Sequence, residues 1–143
     1  MNTIMSTITR GMLVISAFAL GLFAVSTASA TETDPKGEHF ASVAVPTGLA
    51  ASDIQDAIVA TLLGRQWGVK SKADGEVVGY LKHRSNEATV TLTFDTSKVD
   101  IYCVGYKIDK SSGSRIKPEQ PKGWLKNIQQ DLTKNLNKTI SHK

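Results

Sequence analysis

The chain has a single cysteine, Cys103, among 143 residues. No disulfide can therefore close within it, and its stability has to come from packing alone. Charge of one sign is also in short supply, with 17 Lys and Arg against 13 Asp and Glu for a net charge of +4. That mild excess is far below the balance at which charge alone would argue for nucleic acid. Proline occurs four times and aromatic residues make up 6%. With no internal repeat and no low-complexity tract, the solenoid, collagen-like and disordered classes drop out. Beyond residue 25 no apolar run is long enough for a membrane span.

The motifs that announce chemistry are missing too. There is no nucleophile elbow, phosphate-binding glycine loop, paired metal-ligand histidine motif or calcium loop. His39, His83 and His142 are scattered without ligand spacing, so neither they nor Cys103 point to a metal site. Asp53 and Asp56 stand three apart at the start of a helical pattern, where complementing the helix dipole is a sufficient reason for both. No catalytic residue, metal or cofactor is expected.

What is present begins with "MNTIMSTITRGMLVISAFALGLFAVSTASA", which places one charge, Arg10, ahead of an apolar run from Gly11 to Val25 and ends on Ala28-Ser29-Ala30. A charged start, a short apolar segment and small residues at the last and third-last positions make a secretory signal, with cleavage expected after Ala30. Residues 1–30 are then a signal peptide, residues 31–38 ("TETDPKGE") a flexible leader, and residues 39–143 a single domain. A periplasmic or secreted bacterial location follows, with no membrane span after cleavage.

Within the domain, "HFASVAVP" reads as a short strand ended by Pro46. Ser52 with Gln55 three residues on resembles a capping box, and Ile54, Ala57, Ile58, Thr61 and Leu62 then fall at helical spacing up to Gly64, the expected stop. From Trp67 the period changes to two. "WGVKSK", "EVVGYLKHR", "ATVTLTFD" and "VDIYCVGYKI" are four strands, divided by "ADG", "SNE" and "TSK". Cys103, inside the last of these, is expected as a buried small hydrophobe. After a loop, "DKSSGSRIKPEQPKG", a stripe of Leu125, Ile128, Leu132 and Leu136 marks a closing amphipathic helix. Trp67 and Trp124, at junctions between elements, are expected to plug the ends of the core. The sum is a two-layer α+β domain in the order β-α-β-β-β-β-α, an antiparallel four- to five-stranded sheet with two helices packed on one face.

Arg65, Trp67, Ile116, Trp124, Leu125, Asn127 and Ile128, in "RQWGV" and "GSRIKPEQPKGWLKNIQQDL", give most of the domain a pattern that resembles a group of small exported bacterial proteins and lipoproteins of uncharacterised function. The resemblance implies a β-rich two-layer fold in the bacterial envelope. It implies no reaction and no ligand.

The strand pattern itself nominates a surface. If Leu81 faces the core with Val77, side-chain alternation turns Tyr80, Lys82 and Arg84 outward. Lys70 and Lys72 join them if Trp67 and Val69 point inward, and Tyr102 and Tyr106 join if Ile101 and Cys103 do. The row Thr89, Thr91, Thr93 lies on the same side. Rings beside cations suit an anionic polymer or glycan, or a partner protein. The function expected is thus a non-enzymatic, monomeric envelope binding or accessory module. A small periplasmic enzyme with a site assembled from distant residues is the alternative.

Overall fold

The computed structural model describes residues 35–143, which fall within one compact unit. The expected signal segment and residues 31–34 lie outside the described residues. The elements are β1 (Glu38–Ala44), α1 (Ala51–Gly64), β2 (Gly68–Ala73), β3 (Glu76–His83), β4 (Asn86–Phe94), β5 (Lys98–Ile108), β6 (Arg115–Pro118) and α2 (Lys122–Ser141). All strand pairs are antiparallel, in the order β1-β5-β4-β3-β2, with β6 also on β5. This is the expected α+β architecture with one strand added.

Register decides which side chains meet the helices. Val77, Leu92 and Ile101 lie directly opposite one another across β3, β4 and β5, as do Gly79, Val90 and Cys103 in the next buried row. These rows are buried, and together with Ile54, Ile58 and Leu62 of α1 and Leu125, Ile128, Leu132 and Leu136 of α2 they form the core. Each fully buried Leu or Ile contributes about 1.5–3 kcal/mol, so this stripe-on-sheet contact is the main source of stability. Gly79 sits beneath α1, where an added Cβ would stand 3.0 Å from Leu62 Cδ1; the missing side chain is what lets the helix settle on β3. Burial pushes the Cys103 thiol up to about 12, with Glu38 adding to the effect, so it stays neutral and packs as a small hydrophobe.

The helices are tied to each other by polar contacts as well. Thr61, almost fully buried, donates to the Ala57 carbonyl at 2.7 Å and accepts from Asn135 Nδ2 at 2.8 Å. Arg65 forks onto Asp131 through Nε (2.6 Å) and Nη2 (3.2 Å), and at the other end Lys143 meets Asp53 at 2.7 Å.

Four local features depart from the sequence reading. The N-cap of α1 is Ala50, whose N–H donates to the Asp53 carboxylate at 2.9 Å, so Asp53 rather than the Ser52–Gln55 pair satisfies the helix start. Gly64 remains helical. The chain leaves α1 by bonds from Trp67 N–H to the Leu62 carbonyl and from Gln66 N–H to that of Leu63, with Gln66 at φ 67°, the left-handed position glycine usually takes. Residues 115–118, expected within a loop, form β6, which pairs with the far end of β5. Finally, the strand expected from His39 starts at Glu38. Gly37 just before it lies so close to β5 that a Cβ would meet the Cys103 carbonyl at 2.3 Å, so the end of the expected flexible leader is seated against the sheet.

Candidate binding surface on the open sheet face

Both helices lie on one face, and among the described residues no helix covers the other. Its rows can be read from the pairing. Tyr80 lies opposite Thr89, and Thr89 opposite Val104. Lys82 faces Glu87, which faces Tyr106, while Val78, Thr91, Tyr102 and His39 form a third row. The threonine row is therefore where alternation puts it. Thr91, flanked by Val78 and Tyr102, is nevertheless only 6% exposed.

Tyr80, Tyr102, Tyr106, Lys70 and Lys82 occupy the expected side. Lys72 and Arg84 do not. The register of β2 against β3 slips between Val69 and Ser71, leaving Lys70 in a bulge and setting Lys72 opposite the core residue Val77, on the helix side of this edge strand. A bulge adds one residue to one strand and so inverts the alternation beyond it. Arg84 misses the face for another reason. β3 ends at His83, paired with Asn86, and Arg84 lies in the connecting turn at φ 57°.

In place of these two cations the fold supplies others. Arg115 of β6 stands 4.1 Å from the centroid of the Tyr106 ring. Lys70 lies 5.7 Å from the Tyr80 ring and Lys36 5.7 Å from the Tyr102 ring. Each of the three tyrosines thus carries a cation, at distances where the ring quadrupole attracts it. His39 meets Tyr102 edge-on, with ring centroids 5.2 Å apart. The Lys82 ammonium lies near Gly113, in the β5–β6 turn, so this turn borders the same surface.

Two carboxylates punctuate the face and organise its donors. Glu87 accepts from Arg115 Nε and from the Tyr80 hydroxyl at 2.8 Å. The Arg115 bond holds Glu87 below the usual carboxylate range, against its partial burial, and the Tyr80 bond acts in the same direction. Glu87 in turn pushes the Tyr80 hydroxyl and the Arg115 guanidinium up. At the other end Asp100 accepts from the Ser42 hydroxyl and pairs with Lys98 at 3.3 Å, and these contacts hold its carboxyl low. Lys70 and Lys82 make no ion pair within 4.0 Å among the described residues. The face accordingly has tyrosine–cation pairs, and its β2–β3 side carries two amines, Lys70 and Lys82, that make no close ion pair among the described residues.

The strand pattern does not reveal Arg115 and Lys36 as members of this surface, because each lies outside the alternating segments. A signal for Arg115 existed: "RIKP" alternates between Gly113 and Pro118, a pattern suited to a short edge strand. Among the described residues no helix is long and apolar enough to cross a membrane, and no group of three or more metal-ligating side chains converges. Comparison with family models and with curated proteins finds no match to this chain.

Proposed function

We propose that the domain is a non-enzymatic binding module of the bacterial envelope that holds an anionic polymer on its open sheet face. The observation that supports this is the placement of a cation over each of three tyrosine rings on that face. A ring covered by a cation is a poor platform for stacking a sugar or base, but it holds the cation over the sheet, and Lys70, which makes no ion pair within 4.0 Å among the described residues, can turn its ammonium to phosphate or carboxylate. This favours the anionic member of the ligand classes that tyrosine and lysine together suit. The signal-like first thirty residues and the resemblance to small exported proteins support the envelope location.

The test is retention on immobilised heparin, a soluble polyanion, across a salt gradient. Replacing Lys36, Lys70, Lys82 and Arg115 by Gln should move elution to markedly lower salt in a protein whose circular dichroism is unchanged. The pair Lys72→Gln and Arg84→Gln removes two charges outside the face and should move elution much less. Screening makes the distinction sharpest near 0.1 M salt, where the Debye length is about 10 Å. Equal shifts for the two variants would mean that net charge, not this face, governs binding, and no retention of the native protein would remove the proposal.

A further inference from the structure

On the helix side of the sheet, where α1 ends and α2 begins, lies a cleft of about 200 Å³. Its walls come from segments far apart in sequence: Trp67 just after α1, Leu81 near the end of β3, and Trp124 and Asn127 in the first turns of α2. The two indoles meet edge to face with centroids 6.0 Å apart, and the His83 ring approaches Trp124 at 6.5 Å. Both tryptophans help close the core, as their positions at element junctions suggest, but Trp124 is only partly buried and borders the cleft.

Three features go beyond packing. Trp67 is 2% exposed, yet its indole N–H has no hydrogen-bond partner among the described residues. A buried indole N–H normally finds one, and leaving it unpaired costs about 1–3 kcal/mol. The part-buried Asn127, which also lines the cleft, likewise has no side-chain hydrogen-bond partner among the described residues. Gln66, at the rim, holds φ 67° where glycine would be unstrained. The charge balance narrows the occupant. Arg65 reaches the cleft already neutralised by Asp131, and no carboxylate lines the cavity. Neither a cation nor a strongly anionic group is favoured.

We infer that this cleft binds a single N-acetylated sugar ring. The volume lies below the roughly 300–1,000 Å³ of sites for larger molecules and suits one ring with a small substituent. The apolar face of a pyranose matches an indole. An acetamido group brings a carbonyl that accepts from an indole N–H, an N–H that an Asn side-chain oxygen accepts, and a methyl compatible with Leu81. The site is separate from the open sheet face, so it stands or falls independently of polyanion binding there.

The experiment is a titration of the purified full-length chain with N-acetylglucosamine, followed through the indole N–H resonances of the two tryptophans. Trp67→Phe identifies the Trp67 resonance by removing it. The Trp67 signal should move in a saturable way, with weak affinity fitting so small a ligand. Glucose, which lacks the acetamido group, should bind at least about tenfold more weakly, because the buried donor is then left unpaired. Asn127→Ala should weaken N-acetylglucosamine binding about fivefold or more with the fold intact by circular dichroism, and this variant carries the test if Trp67→Phe does not fold. The four-cation face variant should bind the sugar as the native protein does. An unmoved Trp67 resonance, equal binding of glucose, or binding of N-acetylphenylalanine amide in preference to the sugar would each overturn the assignment.

Discussion

Trp67→Ala isolates the part of the core that the sequence alone marked as a plug. Trp67 is 2% exposed, lies against Trp124 and follows directly on the bond from its N–H to the Leu62 carbonyl that ends α1. An indole side chain buries about 150–250 Å², which at about 25 cal/mol per Å² gives about 4–6 kcal/mol of transfer free energy. Alanine retains Cβ, and the neighbouring cleft lets water enter the space left behind, so the expected loss is about 3–5 kcal/mol. A domain of this size has about 5–15 kcal/mol in total. At a urea dependence of about 1–3 kcal/mol per M, the midpoint of unfolding should fall by about 2 M. Trp67→Phe keeps most of the volume and loses no hydrogen bond in the free protein, so it should cost less than half as much. Urea titrations followed by far-ultraviolet circular dichroism measure all three proteins. A loss below about 1 kcal/mol for the alanine variant would refute the account of Trp67 as a core element and leave it as a lining residue only.

Gln66→Gly should stabilise the domain by about 0.5–1 kcal/mol, since relief of about 1–2 kcal/mol of left-handed strain exceeds the entropy cost of a glycine; an unchanged or lowered urea midpoint would contradict it. Asp53, Glu87, Asp95, Asp100, Asp109 and Asp131 are all held below their ordinary values, chiefly by side-chain hydrogen bonds from Lys143, Arg115, Ser97, Ser42, Ser111 and Arg65 respectively. Groups depressed in the folded state stabilise it above their unfolded values and lose that contribution as pH falls through the folded ones, so the urea midpoint should drop from about pH 4 downward and stay level between about pH 5 and 8.

The legible parts of this fold are those where burial imposes a strict period. Val77, Val90, Leu92 and Ile101 alternate with polar neighbours because one side of each strand is covered, and the α2 stripe repeats because one side of that helix is. The edges were harder to read. β2 buries little, so nothing in "GVKSKA" records that Lys70 is an extra residue, and the side on which Lys72 lies is not legible without that bulge. All four residues of β6 are exposed, and Pro118 and the preceding glycine made the segment resemble a loop. Arg84 lies in the turn and not in β3, a difference of one residue that composition does not record, since a turn at His83–Asn86 and one at Ser85–Glu87 look alike in sequence. The cleft depends on the convergence of Arg65, Trp67, Trp124 and Asn127, a tertiary property that neither segment carries by itself.

The position of β1 bears on how the domain is made. Glu38 lies opposite Cys103 and Ala44 opposite Lys98, and among the described residues β5 is the only strand beside β1. As the chain emerges from N- to C-terminus, the first strand waits through α1, β2, β3 and β4 before its partner exists. Loop closure of that length must precede any of its hydrogen bonds, whereas β2, β3, β4 and β5 each pair with a sequence neighbour and need no such wait. Its last stabilising layer arrives later still, because α2 is the final element and supplies four of the buried residues over the sheet.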